Sequence, residues 1–191
     1  DPVDLVIVPG GFSFGDYLRC GALAGRSPVM NAVMDHAARG GAVLGVCNGF
    51  QVLTETGILP GVLIRNAGLR FSCRMVRLET AETMSSPFTQ GLIAGQSLDI
   101  PVAHNEGNYF ADDNLLATLN DNDQIAFKYT DASGNVNENT NPNGSSCNIA
   151  GILNPDKNVL GLMPHPENAT DTALGCTDGR ALFQSLVDSI S

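Results

Sequence analysis

Hydrophobic residues in this chain gather in short, dense runs separated by glycine, proline and polar punctuation. Leu5, Val6, Ile7 and Val8 form an unalternating run that stops at Pro9-Gly10-Gly11. Such a run predicts a strand buried on both faces and ending in a tight turn. Ser27-Pro28 then offers an N-cap and a first-turn proline, and Met30, Val33, Met34 and Ala37 recur at helical spacing up to Arg39-Gly40, which predicts a helix between them. A second apolar run, Ala42-Val-Leu-Gly-Val46, predicts another buried strand, with Cys47 at its end and a helix over about 49–56. Strand, helix, strand, helix in that order implies a parallel sheet covered by helices.

Polarity rises in the middle of the chain. Residues 71–80 and 124–130 read as more polar strands, added to the sheet in antiparallel or peripheral positions, and 131–146, rich in Asn and Gly, reads as an exposed loop. Residues 149–153 and 159–163 flank an Asn-Pro-Asp-Lys-Asn turn and read as a hairpin. Over 178–190, Leu182, Phe183, Leu186, Val187 and Ile190 share one helical face, which predicts an amphipathic helix packed on the sheet.

Composition narrows the class. The chain has 191 residues, 43% hydrophobic and 16% charged, which suits one compact domain over 1–191 with a single core. Ten Lys and Arg against twenty Asp and Glu give a net charge of -10, a field that repels phosphate backbones and anionic lipids, so neither nucleic acid nor a membrane surface is an expected partner. Five cysteines, with no C-x-x-C pair or neighbouring His tract, fit reduced thiols in a cytoplasmic protein and no metal site. No apolar run is long enough to span a bilayer. The Asn143-Gly-Ser and Asn168-Ala-Thr triplets are read as chance matches to a glycosylation pattern.

Candidate chemistry lies at the ends of the predicted strands. Gly45-Val46-Cys47-Asn48-Gly49 has the form G-x-C-x-G, a sharp strand-to-helix turn that holds a nucleophile above the sheet and needs glycines where side chains would collide. A thiol at a helix N-terminus is also favoured as the thiolate. Met163-Pro164-His165-Pro166-Glu167 supplies a base and a carboxylate to orient it; in an extended segment, residues two apart point the same way. Backbone amides at Gly10, Gly11 and Phe12, and at Asn48, suit a developing oxyanion. Gln51, one helical turn beyond Cys47, is open to two readings, a contact with the charged backbone groups of a substrate or helix packing. His104 and Glu106 read as a structural or inter-subunit loop in preference to a second acid-base pair. His36 reads as a surface residue, Cys73, Cys147 and Cys176 as packing residues, and Cys20 as open to oxidants.

Taken together, these residues resemble the class I glutamine amidotransferases: a glycine pair after a strand, a G-x-C-x-G elbow and a late H-x-E. The likeness is closer still to a purine-pathway branch of that family, on Gly10-Gly-Phe-Ser-Phe-Gly-Asp-Tyr-Leu-Arg-Cys-Gly21, Gly45-Val-Cys-Asn-Gly-Phe-Gln-Val-Leu53, Pro101-Val-Ala-His-Asn-Glu-Gly107, and Asn141-Pro-Asn-Gly-Ser145 leading into Asn148-Ile-Ala-Gly-Ile152. The resemblance implies a flavodoxin-like three-layer α/β/α fold with Cys47, His165 and Glu167 as a catalytic triad acting on L-glutamine. It also implies a large synthetase subunit and a small third subunit as partners. The synthetase would use ATP and magnesium to amidate formylglycinamide ribonucleotide, and this chain would need no cofactor of its own. A strand-helix-strand block normally precedes the glycine-pair strand in that family, so the Asp1-Pro-Val-Asp opening suggests a domain incomplete at its N-terminus, with a bared sheet edge. After Glu167 the family usually continues with Arg and acidic residues, where this chain has Asn168-Ala-Thr-Asp-Thr. The competing readings are another elbow-cysteine hydrolase and a non-catalytic binding subunit.

Overall fold

The structure is a computed structural model that describes residues 3–11, 27–81, 86–137 and 139–190. Among these residues the main sheet has seven strands in the order β1-β2-β9-β8-β7-β4-β5. Its members are β1 (Leu5–Val8), β2 (Ala42–Val46), β4 (Ser72–Thr80), β5 (Ser97–His104), β7 (Ile125–Thr130), β8 (Ile149–Leu153) and β9 (Val159–Leu162). β3 (Val62–Ile64) and β6 (Asn108–Phe110) form a separate antiparallel pair. Strands β1, β2 and β9 run parallel, and every pairing from β9 through β8, β7 and β4 to β5 is antiparallel. Four helices complete the described fold, α1 (Pro28–Ala38), α2 (Asn48–Glu55), α3 (Asp113–Asp121) and α4 (Gly179–Ile190).

Local signals explain most of these elements. The Ser27 side chain accepts from the Met30 amide, Pro28 opens α1, and Met30, Val33 and Ala37 are its buried face. All five residues of β2 are buried, as a strand flanked on both sides and covered on both faces requires. The same apolar signature misleads for β1. This strand pairs only with β2 among the described residues, and Ile7 is half exposed, because an apolar run does not say how many neighbours a strand has. The hairpin predicted over 149–153 and 159–163 is the antiparallel β8–β9 pair. On α4, Leu182 and Leu186 are buried, but Val187 and Ile190 are exposed, so its apolar stripe is narrower than predicted.

Three further expectations need correction. Residues 131–146 are not a wholly exposed loop: Asn143 and Ser145 are buried, as is Asn148 just beyond. The Asn141 carboxamide oxygen accepts from the amides of Asn143, Gly144 and Ser145, so asparagine side chains replace the ladder bonds this segment lacks. His36 is partly buried, with its ring nitrogen 3.3 Å from the Ala42 carbonyl oxygen and its ring against Gly41. Cys73 and Cys147 are exposed, and Cys176 is half-buried; Cys20 lies outside the described residues.

Close backbone approach sets the position of α2. A Cβ on Gly49 would fall 1.9 Å from the Val8 carbonyl oxygen, and one on Gly45 would fall 2.9 Å from the Gly49 carbonyl carbon. The two glycines of the elbow therefore let the helix start directly against β1 and β2. Gly49→Ala is expected to lower unfolding stability by roughly 2–4 kcal/mol, since rigid backbone has to move. Gly57→Ala, at φ +77 with open space around it, is expected to cost only about 1 kcal/mol of left-handed strain. Denaturant unfolding of the two variants checks this, and a Gly49→Ala as mild as Gly57→Ala would contradict the packing.

Candidate active site

Cys47 stands between the last residue of β2 and the first of α2 with φ 51 and ψ -108, a conformation side-chain-bearing residues rarely take. Its amide donates to the Leu162 carbonyl at 2.8 Å, which ties the turn to β9. The thiol is buried, with Sγ 3.8 Å from the carbonyl oxygen of Ala103 on β5. A Cβ on Gly10 would lie 3.1 Å from the Cys47 Cβ and 3.0 Å from His165 Cε1. Gly10 is thus needed where the segment after β1 crosses the cysteine and the histidine.

His165 arrives from the other side, after β9, with its amide bonded to the Pro101 carbonyl at 2.8 Å. Its Nδ1 is 2.6 Å from Glu167 Oε1. The pairing was expected from an extended segment; instead Pro166–Asn168 is a 3-10 turn, opened by Pro166, that brings the carboxylate back to the ring. With Nδ1–H donated to Glu167, Nε2 is buried and meets hydrogen-bond geometry toward no described group. The Cys47 side chain is nonetheless among the groups that act on the ring. Burial pulls the imidazole toward the neutral form, but hydrogen bonding and charge from Cys47 and Glu167 outweigh it and carry its pKa up to about 10.

A pocket of about 420 Å³, counting its open mouth, is lined by Gly11, Cys47, Asn48, Gln51, His165 and residues 103–106. Gly11 has φ 126, a glycine conformation. Asn48 Nδ2 donates to Gln51 Oε1 at 2.7 Å, and Gln51 Nε2 donates to the Glu106 carbonyl at 2.8 Å. Gln51 therefore both lines the pocket and braces its wall, so each of the two sequence readings captures part of its position. Phe12 lies outside the described residues.

Sequence reasoning missed the polar cluster behind the pocket wall. The His104 Nδ1 is 3.2 Å from Asn66 Oδ1, which also accepts from the Gly107 amide at 3.0 Å. Asn143 Nδ2 reaches the Gly107 carbonyl at 2.7 Å and lies 3.5 Å from His104 Nε2. Burial, with the positive charge of His165 adding to it, lowers the His104 pKa to about 4, so this ring is neutral. With that tautomer Nδ1–H donates to Asn66 and Nε2 accepts from Asn143. His104 thus holds residues 104–107 in place, in keeping with the structural-loop reading. Glu106 lines the pocket, a position that reading did not include. The available signal was Asn141-Pro-Asn-Gly-Ser145, whose amide-bearing side chains suit satisfaction of buried backbone as well as they suit a loop.

Comparison with known proteins agrees with this geometry. Residues 1–175 match a CobB/CobQ-like glutamine amidotransferase domain. The chain is 58% identical to phosphoribosylformylglycinamidine synthase subunit PurQ of Rhodospirillum rubrum, covering 99% of this chain and 82% of that one. It is 57% identical to the subunit of the same name from Bradyrhizobium diazoefficiens, covering 98% and 80%. Among solved structures, PurLQS from Thermotoga maritima superposes with a TM-score of 0.84 at 39% identity, over 98% of this chain and 80% of that one. The flavodoxin-like α/β/α architecture implied by the resemblance is therefore the fold of this chain. By domain match, by identity over nearly its whole length and by fold, the chain belongs to the glutamine amidotransferase family, within its PurQ branch.

Proposed function

We propose that this chain is the glutaminase subunit of a phosphoribosylformylglycinamidine synthase, working in the cytoplasm with a large synthetase subunit and a small third subunit. The observation that carries the chemical reading is one imidazole coupled both to a carboxylate, at 2.6 Å, and to the only cysteine among the described residues that line the pocket. That is the arrangement covalent catalysis by a thiolate requires.

In the proposed reaction Cys47 Sγ attacks the side-chain amide carbon of glutamine and a C–S bond forms. The negative charge that develops on oxygen is held by backbone amides near Gly11 and Asn48. His165, protonated through its coupling to Cys47 and Glu167, gives its Nε2 proton to the amide nitrogen as the C–N bond breaks and ammonia leaves. The neutral ring then takes a proton from water, whose oxygen attacks the thioester. A C–O bond forms, the C–S bond breaks, and glutamate departs with the thiolate–imidazolium pair restored. Glu167 keeps the ring in the tautomer that presents Nε2 to the sulfur. Ammonia passes to the synthetase subunit, where ATP and magnesium serve the amidation of formylglycinamide ribonucleotide. No cofactor is proposed for this chain.

Two outcomes test the reading. Release of glutamate from glutamine by the complex is expected to vanish in Cys47→Ala and to fall by roughly 10²–10⁴-fold in Glu167→Gln, which keeps the shape but loses the charge that orients the ring. Unchanged release in Cys47→Ala would end the proposal and leave a binding subunit.

The His165 ring carbon protons, followed by NMR, should titrate near pH 10 and shift well downward in Cys47→Ala. The sign follows from linkage. A folded pKa above the unfolded value of 6.5 adds stability that is fully present below pH 6.5 and is lost as pH rises through about 10. An imidazole unmoved by removal of Cys47 would show that the two groups are not coupled.

A further inference from the structure

We infer that Cys176 and Asp178 are positioning residues for the triad: they fasten the chain beyond Glu167 to the open edge of β5 and so hold the Glu167 carboxylate on the His165 ring. This rests on the glutaminase reading and deepens it by naming what keeps the pair assembled.

β5 pairs with β4 alone among the described residues, so every second residue turns its backbone polar groups outward. Such an edge is a liability unless something answers it. Here the outward groups of Asp99, Pro101 and Ala103 meet the segments of the active site. The Ala103 carbonyl oxygen is 3.8 Å from Cys47 Sγ, and the Pro101 carbonyl accepts the His165 amide at 2.8 Å. At Asp99 both backbone groups are taken by side chains. The amide donates to Asp178 Oδ2 at 2.8 Å, and the carbonyl accepts the Cys176 thiol at 3.1 Å. The Asp178 amide closes the ring by donating to the Cys176 sulfur at 3.5 Å. Asp99 is itself fixed on the sheet, because Arg77 on β4 holds its carboxylate through Nε at 2.7 Å and Nη2 at 2.6 Å.

Glu167 therefore sits in a stretch of chain pinned at both ends to one strand, by His165 at Pro101 and by Cys176 and Asp178 at Asp99. Edge positions two residues apart are separated by about 7 Å, so the stretch has to fold back sharply, and it does so through the 3-10 turns at Pro166–Asn168 and Thr172–Leu174. The return is closely packed. Ala169 is fully buried and its carbonyl accepts the Gly179 amide at 2.8 Å. A Cβ on Gly179 would fall 2.1 Å from the Pro166 carbonyl oxygen, so the first turn of α4 lies against the turn that carries Glu167. Asp178, one residue earlier, ties that helix start to β5. The Glu167 side chain is 44% exposed, which leaves it room to swing off the ring once the clip is released. Neither Cys176 nor Asp178 is among the described residues lining the pocket, so their loss reaches the chemistry through the Glu167–His165 bond.

The test combines glutamine hydrolysis by the assembled complex with the NMR titration of the His165 ring in this chain. In Cys176→Ala kcat is expected to fall about 3- to 10-fold, and in Asp178→Ala about 10-fold or more, with the KM for glutamine within about 2-fold in both. In both variants His165 should titrate below its wild-type value, because an imidazolium that loses its carboxylate gives up its proton more readily. Cys176→Ser and Asp178→Asn, which keep the donor and the acceptor, should recover most of both losses. A merely structural role would lower unfolding stability and the active fraction while the His165 titration stayed at its wild-type position. That result, or an unchanged kcat in both alanine variants, would overturn the inference. Should Asp178→Ala fail to fold, Cys176→Ala decides alone, since it removes one weak donor from a half-buried position. If the wild-type complex releases no glutamate, the glutaminase reading falls and this inference with it. If it releases glutamate and the alanine variants match it, this inference alone falls.

Discussion

A single backbone conformation, φ 51 and ψ -108 at Cys47, is the constraint around which the surrounding packing is organised. A left-handed, non-glycine residue costs on the order of 1–3 kcal/mol and persists only where its surroundings over-determine it. Here they do. The Cys47 amide is bonded to β9, the preceding strand is buried throughout, and Gly45 and Gly49 leave no space for the helix to relax. The strain aims Sγ away from the strand direction and toward the end of β5, where His165 and the pocket wall converge.

Two histidines near this thiol are driven in opposite directions by different physics. His165 has a carboxylate on one nitrogen and the sulfur near the other, and these outweigh its burial. Among the described residues, the side chains within hydrogen-bond range of the His104 ring are the uncharged amides of Asn66 and Asn143, so burial prevails and the neighbouring imidazolium adds to the effect. The difference separates a ring that can move a proton from one that can only hold a wall. It also means that, of the two rings, only that of His165 carries a proton it can give up, and that ring is the one coupled to Cys47.

The parallel half of the sheet was legible in the sequence because β2 is an uninterrupted apolar run and α1 carries its own cap and proline. Cys47 and His165 were legible because a strained elbow and a proline-flanked histidine leave strong local patterns. β5 was not, since its alternation is broken by Pro101, a residue that belongs in an edge strand; β5 is the last strand of the sheet among the described residues and Pro101 offers its carbonyl to His165. Helix α3 was missed for a different reason, because its Leu115, Leu116 and Leu119 are diluted by Asn and Asp and only Leu119 is fully buried. The role of residues 141–148 was hidden because a polar segment that satisfies buried backbone has the composition of one that faces solvent. Whether Glu106 faces a pocket is settled by tertiary packing alone, through a carbonyl held by a residue 55 positions away.

The placement of β9 has a consequence for how the chain comes to function at all. It lies between β2 and β8 in space but is the last of the described strands in sequence, so it joins the parallel and antiparallel halves of the sheet only after the other described strands exist. Closing so long a loop is entropically uphill until the strand's contacts form. The amide of Cys47 and the ring of His165 both depend on that closure. A chain that ends before β9 thus has Cys47 but neither the Leu162 carbonyl that anchors its amide nor the His165 ring.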